Sequence, residues 1–321
     1  MIMEPKNWNV YLFRDILERV EVPVNVESNK EYVQIGIRSH GKGLFYKEPV
    51  LGKALGNKQV FWIQPNCFIL NVVFAWEQAI TKTTENEIGM IGSHRFPMYR
   101  PKNDLVDIDY LIYYFLTKRG TDILEAASPG GAGRNRTLGQ ERFLKSKITL
   151  PPLSEQQKIA AILSTQDKVI ELKEKLLAQK QQQKKYLMQQ LLTGKRRLPG
   201  FDRKWNYVKA NEIFKSIVDK SHGGKLEVLY STQDKGIVPR SQVDIDIKYN
   251  ENSLSTYKKV CEGDFVISLR SFQGGIEYSN YAGIVSPAYT VLRAIVKIDA
   301  GYYKQFFKSS NYIKRLNVAV Y

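Results

Sequence analysis

A run of 41 residues without glycine or proline constrains this chain more than any other feature. The run begins after Pro151-Pro152 and continues to Gly194. Ser154 and Gln157 match a capping box, in which two side chains bond amide groups at the start of a helix. Gly194 can adopt the left-handed conformation that commonly ends a helix. The sequence therefore predicts a single helix of roughly 58 Å, which would project beyond a domain of about 150 residues.

Apolar side chains recur every seven residues along this helix. One row contains Leu163, Ile170 and Leu177, and a second row lies beside it. A seven-residue repeat on so long a helix favours a coiled-coil partner, and a helix lying on its own domain is the alternative. The residues predicted to form this apolar seam are Ile159, Ile162, Leu163, Val169, Ile170, Leu176, Leu177, Leu187 and Leu191.

The segments on either side of the helix contain an internal repeat. Trp8-Asn9 recurs 197 residues later as Trp205-Asn206, and residues 68–71 (FILN) align at the same offset with residues 265–268 (FVIS). Matches in the same order at a constant offset indicate two copies of one domain. Short apolar runs between Gly, Pro and Asn predict strands, and residues 109–118 predict a buried helix. We therefore expect an α+β fold, with two related mixed α/β domains separated by one long coiled-coil-forming helix.

The second copy is shorter than the first. It reaches the counterpart of the buried helix and then stops at Tyr321, without a counterpart of roughly residues 125–195. We therefore expect one long helix where a complete tandem repeat would have two.

Composition points to nucleic acid as a partner. Lys and Arg number 48 against 32 Asp and Glu, which gives a net charge of +16. Residues 154–198 hold 10 basic and 4 acidic side chains, the highest density of positive charge in the chain. Lys and Arg neutralise phosphates and so supply most sequence-independent binding to nucleic acid. Many other soluble proteins are also basic, so composition alone favours this partner only modestly.

No motif in the sequence predicts catalysis or metal binding. A phosphate-binding glycine loop, a dinucleotide fingerprint and a metal-ligand spacing of Cys and His are all absent. Cys67 and Cys261 are expected to be free thiols, and neither a secretory signal nor a membrane span is visible. We therefore predict a cytoplasmic protein with no catalytic residue, no metal site and no cofactor of its own.

Loops in both copies carry the side chains that read base edges in DNA. Arg forms two hydrogen bonds to guanine, and Asn or Gln forms two to adenine. The loop at residues 128–136 adds three glycines, which allow the backbone to approach a phosphate closely. Solvent-facing loop residues are the alternative for each position. The predicted DNA contacts are Trp76, Gln78, His94, Arg95, Arg134, Asn135, Arg136, Arg240, Arg270 and Gln273.

The start and end of the long helix resemble a known protein family. Residues 150–163 (LPPLSEQQKIAAIL) and 184–194 (KKYLMQQLLTG) are similar to the central conserved region in specificity subunits of type I restriction-modification enzymes. The resemblance covers essentially the whole chain. It implies a first target-recognition domain at residues 1–150, a central helix and linker at 151–198, and a second target-recognition domain at 199–321.

The resemblance also implies a function and partners. Each recognition domain would read one half of a bipartite site on double-stranded DNA, and the chain itself would not catalyse a reaction. Two methyltransferase (modification) subunits would dock on the helical scaffold and carry S-adenosylmethionine. Translocase-nuclease (restriction) subunits, with ATP and Mg, would join them.

The family pattern includes a distal, proline-marked helical region that is not visible before Tyr321. The apolar seam is therefore expected to pair with the same helix of another copy or with modification-subunit helices.

Two other functions remain open at the level of sequence. A stand-alone regulator could use the long helix as a coiled coil to form a homodimer and bind a palindrome. An enzyme with an unrecognised site is the third possibility. The regulator predicts a symmetric DNA site, whereas two different recognition domains in one chain predict an asymmetric one.

Overall fold

The computed structural model describes residues 7–130, 136–243, 251–269 and 271–318. Contacts between Cα atoms divide the chain into two compact units, Met1–Lys173 and Glu174–Tyr321. The division falls inside the long helix, so each unit contains one part of that helix.

The first unit contains twelve described strands and the first part of the long helix. Its strands are β1 (Asn9–Leu12), β2 (Leu17–Val20), β3 (Glu31–Tyr32), β4 (Ile35–Ile37), β5 (Leu44–Tyr46), β6 (Val50–Leu51), β7 (Val60–Trp62), β8 (Phe68–Leu70), β9 (Ile80–Lys82), β10 (Ile91–Ser93), β11 (Met98–Pro101) and β12 (Lys147–Leu150). Its helices are α1 (Phe13–Ile16), α2 (Ile108–Phe115), α3 (Lys118–Ala127), α4 (Gln140–Lys145) and the start of α5 (Leu153–Leu191).

The second unit contains the end of α5 and a smaller set of described elements. Its strands are β13 (Phe214–Ile217), β14 (Leu229–Thr232), β15 (Gly236–Pro239), β16 (Lys258–Val260), β17 (Phe265–Ile267), β18 (Glu277–Tyr278), β19 (Gly283–Val285) and β20 (Thr290–Ala294). Its helices are α6 (Ala210–Ile213), α7 (Ser271–Gly274), α8 (Ala300–Phe306) and α9 (Ser310–Val318).

The long helix predicted from the sequence is confirmed, but its predicted N-cap is wrong. Helix α5 starts at Leu153, and the Pro152 carbonyl accepts hydrogen bonds from the amides of Glu155 (2.9 Å) and Gln156 (3.1 Å). Ser154 therefore lies inside the first turn. A proline carbonyl can take this position because the missing proline N–H is not needed before a helix. At the other end Gly194 has φ +71°, as predicted for a left-handed terminator.

The core of the first domain is a four-stranded antiparallel sheet with aromatic rings packed on one face. The strand order is β2-β11-β8-β9. Phe13 and Phe143 stack with centroids 4.7 Å apart, and Phe68 and Phe115 stack at 5.4 Å. All four side chains are fully buried. Burial of this much apolar surface is the main stabilising contribution to the domain.

The second domain repeats this sheet strand for strand. Its order is β13-β20-β17-β18, again antiparallel. The register is also repeated, because Tyr99 pairs with Phe68 in the first sheet and Leu292 pairs with Phe265 in the second. Two smaller pairs recur as well, since β4-β5 and β7-β10 correspond to β14-β15 and β16-β19. The internal repeat predicted from sequence is confirmed at the level of strand order and register.

The start of α5 is fixed to the first domain by polar contacts. Gln156 is fully buried, and its side-chain oxygen accepts a hydrogen bond from the Asp107 amide (3.0 Å). Its side-chain nitrogen donates to the carbonyls of Leu105 (3.0 Å) and Pro151 (2.8 Å). Further along, the Tyr113 hydroxyl donates to Asp167 at 2.7 Å. Since a buried amide must find partners, Gln156 fixes where the helix leaves the domain.

Candidate nucleic-acid interface

The β4–β5 hairpin of the first domain has a tight turn at residues 38–43. His40, Gly41 and Gly43 have φ values of +60°, +62° and +75°, and glycine takes this left-handed region without steric cost. The Arg38 guanidinium donates a hydrogen bond to the Leu44 carbonyl across the turn. The turn therefore has one well-defined backbone path.

The predicted contacts Trp76 and Gln78 lie in a second tight turn. Residues Ala75–Glu77 form a single 3-10 turn, and Gln78 ends it with φ +58°. The Trp76 indole N–H donates to the Val73 carbonyl at 3.1 Å. The Gln78 side-chain amide donates to the Thr121 hydroxyl at 2.6 Å, which connects the turn to helix α3. One hydrogen-bonding group of each side chain is therefore already used within the protein.

The two turns are bonded to each other. The amides of His40 and Gly41 donate to the carbonyls of Glu77 (2.8 Å) and Gln78 (2.9 Å). The Ser39 hydroxyl donates to the Glu77 carboxylate at 3.0 Å. These three bonds fix the tip of the hairpin against the Ala75–Glu77 turn.

The glycine-arginine loop joins the same surface. The Arg136 guanidinium lies over the Trp76 ring, with 5.4 Å between its central carbon and the ring centroid, a cation–π contact. The Leu138 amide donates to the Val72 carbonyl at 2.8 Å, which places the end of this loop beside the turn that leads from β8 to Trp76. Arg134 and Asn135 lie outside the described residues.

His94 and Arg95 occupy a third turn on this surface. Both are exposed, between β10 and β11. The Arg95 carbonyl accepts a hydrogen bond from the Val72 amide at 3.0 Å. Five predicted contacts of the first domain thus group around one short segment, residues 72–78. Those five are Trp76, Gln78, His94, Arg95 and Arg136.

The second domain has a corresponding pair of turns. A Cβ on Gly274 would lie 3.0 Å from the Gln233 Cγ, so the turn between β14 and β15 lies beside helix α7. Gln273 is exposed on α7, and Arg240 is exposed directly after β15. Arg270 lies outside the residues that the structure covers. In both domains the hairpin tip therefore lies beside the turn that follows the equivalent strand of the sheet.

A buried ion pair in the second domain was missed by sequence reasoning. Arg293 forms two parallel hydrogen bonds to Asp264, of 2.8 and 2.7 Å, and Asp264 also accepts one from the Cys261 amide (2.8 Å). The Asp264 carboxylate raises the pKa of the Arg293 guanidinium, which stays charged. The sheet register places Cys67 and Arg100 at the equivalent positions of the first domain. There, burial raises the pKa of the Cys67 thiol, so the partner of Arg100 is neutral.

The apolar seam of α5 is mostly exposed in this single chain. Ile159 packs on the core of the first domain and is the exception in the first unit. Leu191, near the end of the helix, is half-buried. The exposed fractions of the remaining seam residues run from 36% at Val169 to 62% at Ile162. A contiguous apolar stripe of this kind marks an interaction surface.

Within residues 7–130, 136–243, 251–269 and 271–318, no three His, Cys, Asp or Glu side chains are grouped so that they could hold a metal ion. Over the same ranges no helix is long and apolar enough to cross a membrane.

Two copies of one sheet, each with a hairpin tip beside a polar turn, and a 39-residue helix between them define a tandem-domain binding protein. A family model described as the type I restriction modification DNA specificity domain matches residues 23–181. Residues 23–181 therefore belong to the family of type I restriction-modification specificity domains, whose role is DNA recognition.

Solved structures support the same fold. The HsdS subunit from Thermoanaerobacter tengcongensis is 20% identical with a TM-score of 0.56, and the match covers 96% of this chain and 82% of that one. A chain from a structure of a type I restriction-modification system, concerned with complex assembly and conformational transition, gives 20% and 0.58, with 95% and 82% covered. The S subunit from M. genitalium gives 13% and 0.50, with 99% and 81% covered.

Proposed function

We propose that the chain reads a bipartite site on double-stranded DNA, with each domain contacting one half. The observation that carries this proposal is the repeat itself, because one scaffold presents two different sets of loop side chains. Residues 76–78 (WEQ) in the first domain correspond to 272–274 (FQG) in the second. Since direct readout depends on such side chains, two unlike sets read two unlike half-sites.

The surface that surrounds residues 72–78 supplies the first reading site. Its groups are of the types that bind duplex DNA, namely an arginine held over an aromatic ring, exposed His94 and Arg95, and an amide side chain. The second reading site would be formed by Arg240, Arg270 and Gln273. Contacts to the phosphates set the position of the protein on the duplex, and contacts to the base edges set which DNA sequence is read.

Methyltransferase subunits are the proposed partners of the long helix. The exposed apolar stripe supports this role, because a stripe of that size is covered when a partner helix packs on it. S-adenosylmethionine, ATP and Mg would be bound by the methyltransferase and translocase-nuclease subunits. The chain itself would supply recognition and geometry, without a catalytic residue.

The decisive experiment is to map methylated sites in cells that express this chain with its methyltransferase partner. An asymmetric bipartite sequence is the expected result. A symmetric palindrome would contradict the proposal and favour a homodimeric regulator. Methylation or cleavage by the purified single chain would contradict the non-catalytic role.

A separate measurement tests what covers the apolar seam. Light scattering on the purified chain, with and without methyltransferase subunits, gives the mass of each species. A stable monomer alone and a larger complex with the subunits would assign the stripe to them. A dimer alone would assign it to a second copy of α5.

A further inference from the structure

The tip of the β4–β5 hairpin presents two polar side chains that are not among the predicted DNA contacts. His40 and Lys42 are both exposed. The backbone amides of His40 and Gly41 are already bonded to Glu77 and Gln78, so these two amides are not available to a ligand, whereas the two side chains are exposed. Lys42 stands between two left-handed glycines, Gly41 and Gly43.

The tip is also held from the opposite side. A Cβ on Gly41 would lie 2.6 Å from a methyl carbon of Leu116, at the corner between α2 and α3. The turn is therefore packed on that corner as well as bonded to the Ala75–Glu77 turn. A tip fixed on two sides positions its side chains before any ligand binds, which reduces the entropy lost on binding.

The surroundings of the tip favour an anionic partner. Arg119 is exposed on the first turn of α3, next to the corner that holds Leu116, and Arg136 stacks on Trp76 in the turn that is bonded to the tip. The neighbouring acidic group is Glu77, whose carboxylate accepts the Ser39 hydroxyl. Lys118 is paired with Asp122. Lys42, Arg119, Arg136 and the polar His40 imidazole therefore leave the surface basic.

We propose that the β4–β5 tip is a DNA-contacting element of the first half-site, an inference that rests on the proposed function. A two-stranded ribbon is narrow enough to enter the major groove. The Lys42 ammonium neutralises a backbone phosphate, and the His40 imidazole hydrogen-bonds a base edge beside the contacts made from Trp76 and Arg136. Lys42 thus contributes affinity, and His40 contributes sequence preference.

The tip of the corresponding hairpin in the second domain has a different sequence, which supports this assignment. Its equivalent tip is residues 233–235 (QDK), whereas the first has residues 39–42 (SHGK). Both tips lie beside the turn that carries predicted base contacts. The first turn spans residues 38–43 and the second spans only residues 233–235, so the two tips differ in both length and side chains, as expected for two readers of unlike half-sites.

The test uses the full chain purified with its methyltransferase subunits and two labelled duplexes of equal length. One duplex contains the mapped site, and the other contains a scrambled sequence. Binding is measured by fluorescence anisotropy over a series of salt concentrations. Lys42→Ala should weaken binding to both duplexes about fivefold, and the slope of log K against log salt should fall by about one.

His40→Gly keeps the left-handed backbone and removes the imidazole. It should weaken binding to the mapped site about tenfold and leave the scrambled duplex unchanged. Lys47→Ala is the matched control, because Lys47 is exposed on the strand side of the same hairpin, away from the tip. It should leave both affinities and the salt slope as in the wild type.

The outcomes distinguish failure of the proposed function from failure of the role of the tip. If the wild-type complex does not prefer the mapped site, the proposed function fails. If the wild type is selective and both Lys42→Ala and His40→Gly behave like Lys47→Ala, the proposed function stands and the role of the tip is overturned. An unchanged melting temperature for each variant shows that any loss arises from contact rather than from misfolding.

Discussion

Each domain contains its own copy of the same four-stranded sheet, but the edge of the sheet is covered differently in the two domains. In the first domain β1 pairs with β12 over four residues, and α4 inserts Phe143 into the middle of the ring cluster. In the second domain the residues at the position of β1 are 206–209, and they are exposed and form no strand within the described ranges; Tyr207 is 98% exposed. The aromatic rings in the core of the second domain instead meet edge to face, as Phe214 and Tyr303 do with their centroids 5.1 Å apart. The sheet register therefore does not depend on how the edge is covered.

A second difference lies inside the sheets. The first domain places a buried thiol beside Arg100, and the second places a buried carboxylate beside Arg293. A charged pair taken out of water is strongly coupled, so removing one partner leaves an uncompensated charge. The two domains should therefore respond unequally to matched substitutions.

The largest effect is expected from Phe143→Ala, which removes the ring that α4 supplies to the first domain. Phe143 is fully buried and stacks on Phe13. A cavity of this size should lower the free energy of unfolding by about 3–5 kcal/mol, as measured by urea denaturation. Tyr207→Ala, at an exposed site in the second domain, should change it by less than about 0.5 kcal/mol. Similar losses of unfolding free energy for the two variants would contradict the assignment of Phe143 to the core and of Tyr207 to an exposed site.

Arg293→Ala should have the next largest effect. It leaves Asp264 buried without its ion-pair partner, and the expected loss is about 2–3 kcal/mol, moderated because the Arg293 side chain is 38% exposed. Arg100→Ala, opposite a neutral thiol, should lose less than about 1 kcal/mol. Thermal unfolding of the two variants compares the two losses of stability. Equal losses would contradict the assignment of a charged partner to Arg293 and a neutral one to Arg100.

Gln156→Ala should destabilise the first domain by about 2 kcal/mol. The reason is that the Asp107 amide and the Leu105 and Pro151 carbonyls lose their partner. The neighbour Gln157 is exposed, so Gln157→Ala is the control and should be nearly neutral. Hydrogen exchange at the Asp107 amide provides a local readout. Unchanged protection of that amide in Gln156→Ala would contradict the assignment.

The smallest expected effect concerns pH and Glu277 in the second domain. Burial raises the pKa of the Glu277 carboxyl above its usual 4.5, and the ion pair with Lys308 at 2.8 Å partly opposes that shift. A raised carboxyl pKa gives stability that is fully present below pH 4.5 and is lost as the pH rises through the folded pKa.

Glu277→Gln stays neutral, so this loss should disappear when unfolding is followed from pH 4 to pH 7. At the matched position of the first sheet stands Thr81, which does not titrate, and Thr81→Ala is the control. An identical pH slope in wild type and Glu277→Gln would rule out this contribution.

Much of the architecture could be predicted from the sequence because it depends on local or periodic signals. Helix α5 follows from a continuous absence of Gly and Pro, and the repeat follows from the Trp8 and Trp205 starts and two matching strands. The end predicted for one helix is wrong, and the cause is local. The helix predicted at 109–118 ends at Phe115, because the Thr117 side chain caps a new helix by accepting from the Gly120 amide.

The rest depends on contacts between residues far apart in the chain. Asp264 and Arg293 are separated by 29 positions, and nothing in either neighbourhood signals the pair. The bonds from His40 and Gly41 to Glu77 and Gln78 likewise join segments nearly 40 residues apart. The grouping of five predicted contacts around residues 72–78 therefore emerges only in three dimensions, and the role of each in binding remains a prediction.

The shared register has a consequence for how such a chain changes over generations. The residues that determine the sheet, such as Phe68 and Phe265, are buried, whereas the tips at 39–42 and 233–235 lie in turns outside the strands. Under the proposed function, substitutions that alter recognition and substitutions that unfold the protein fall on separate sets of positions. Natural selection can therefore give one copy a new specificity while the other keeps the old one, and the scaffold tolerates the intermediate steps.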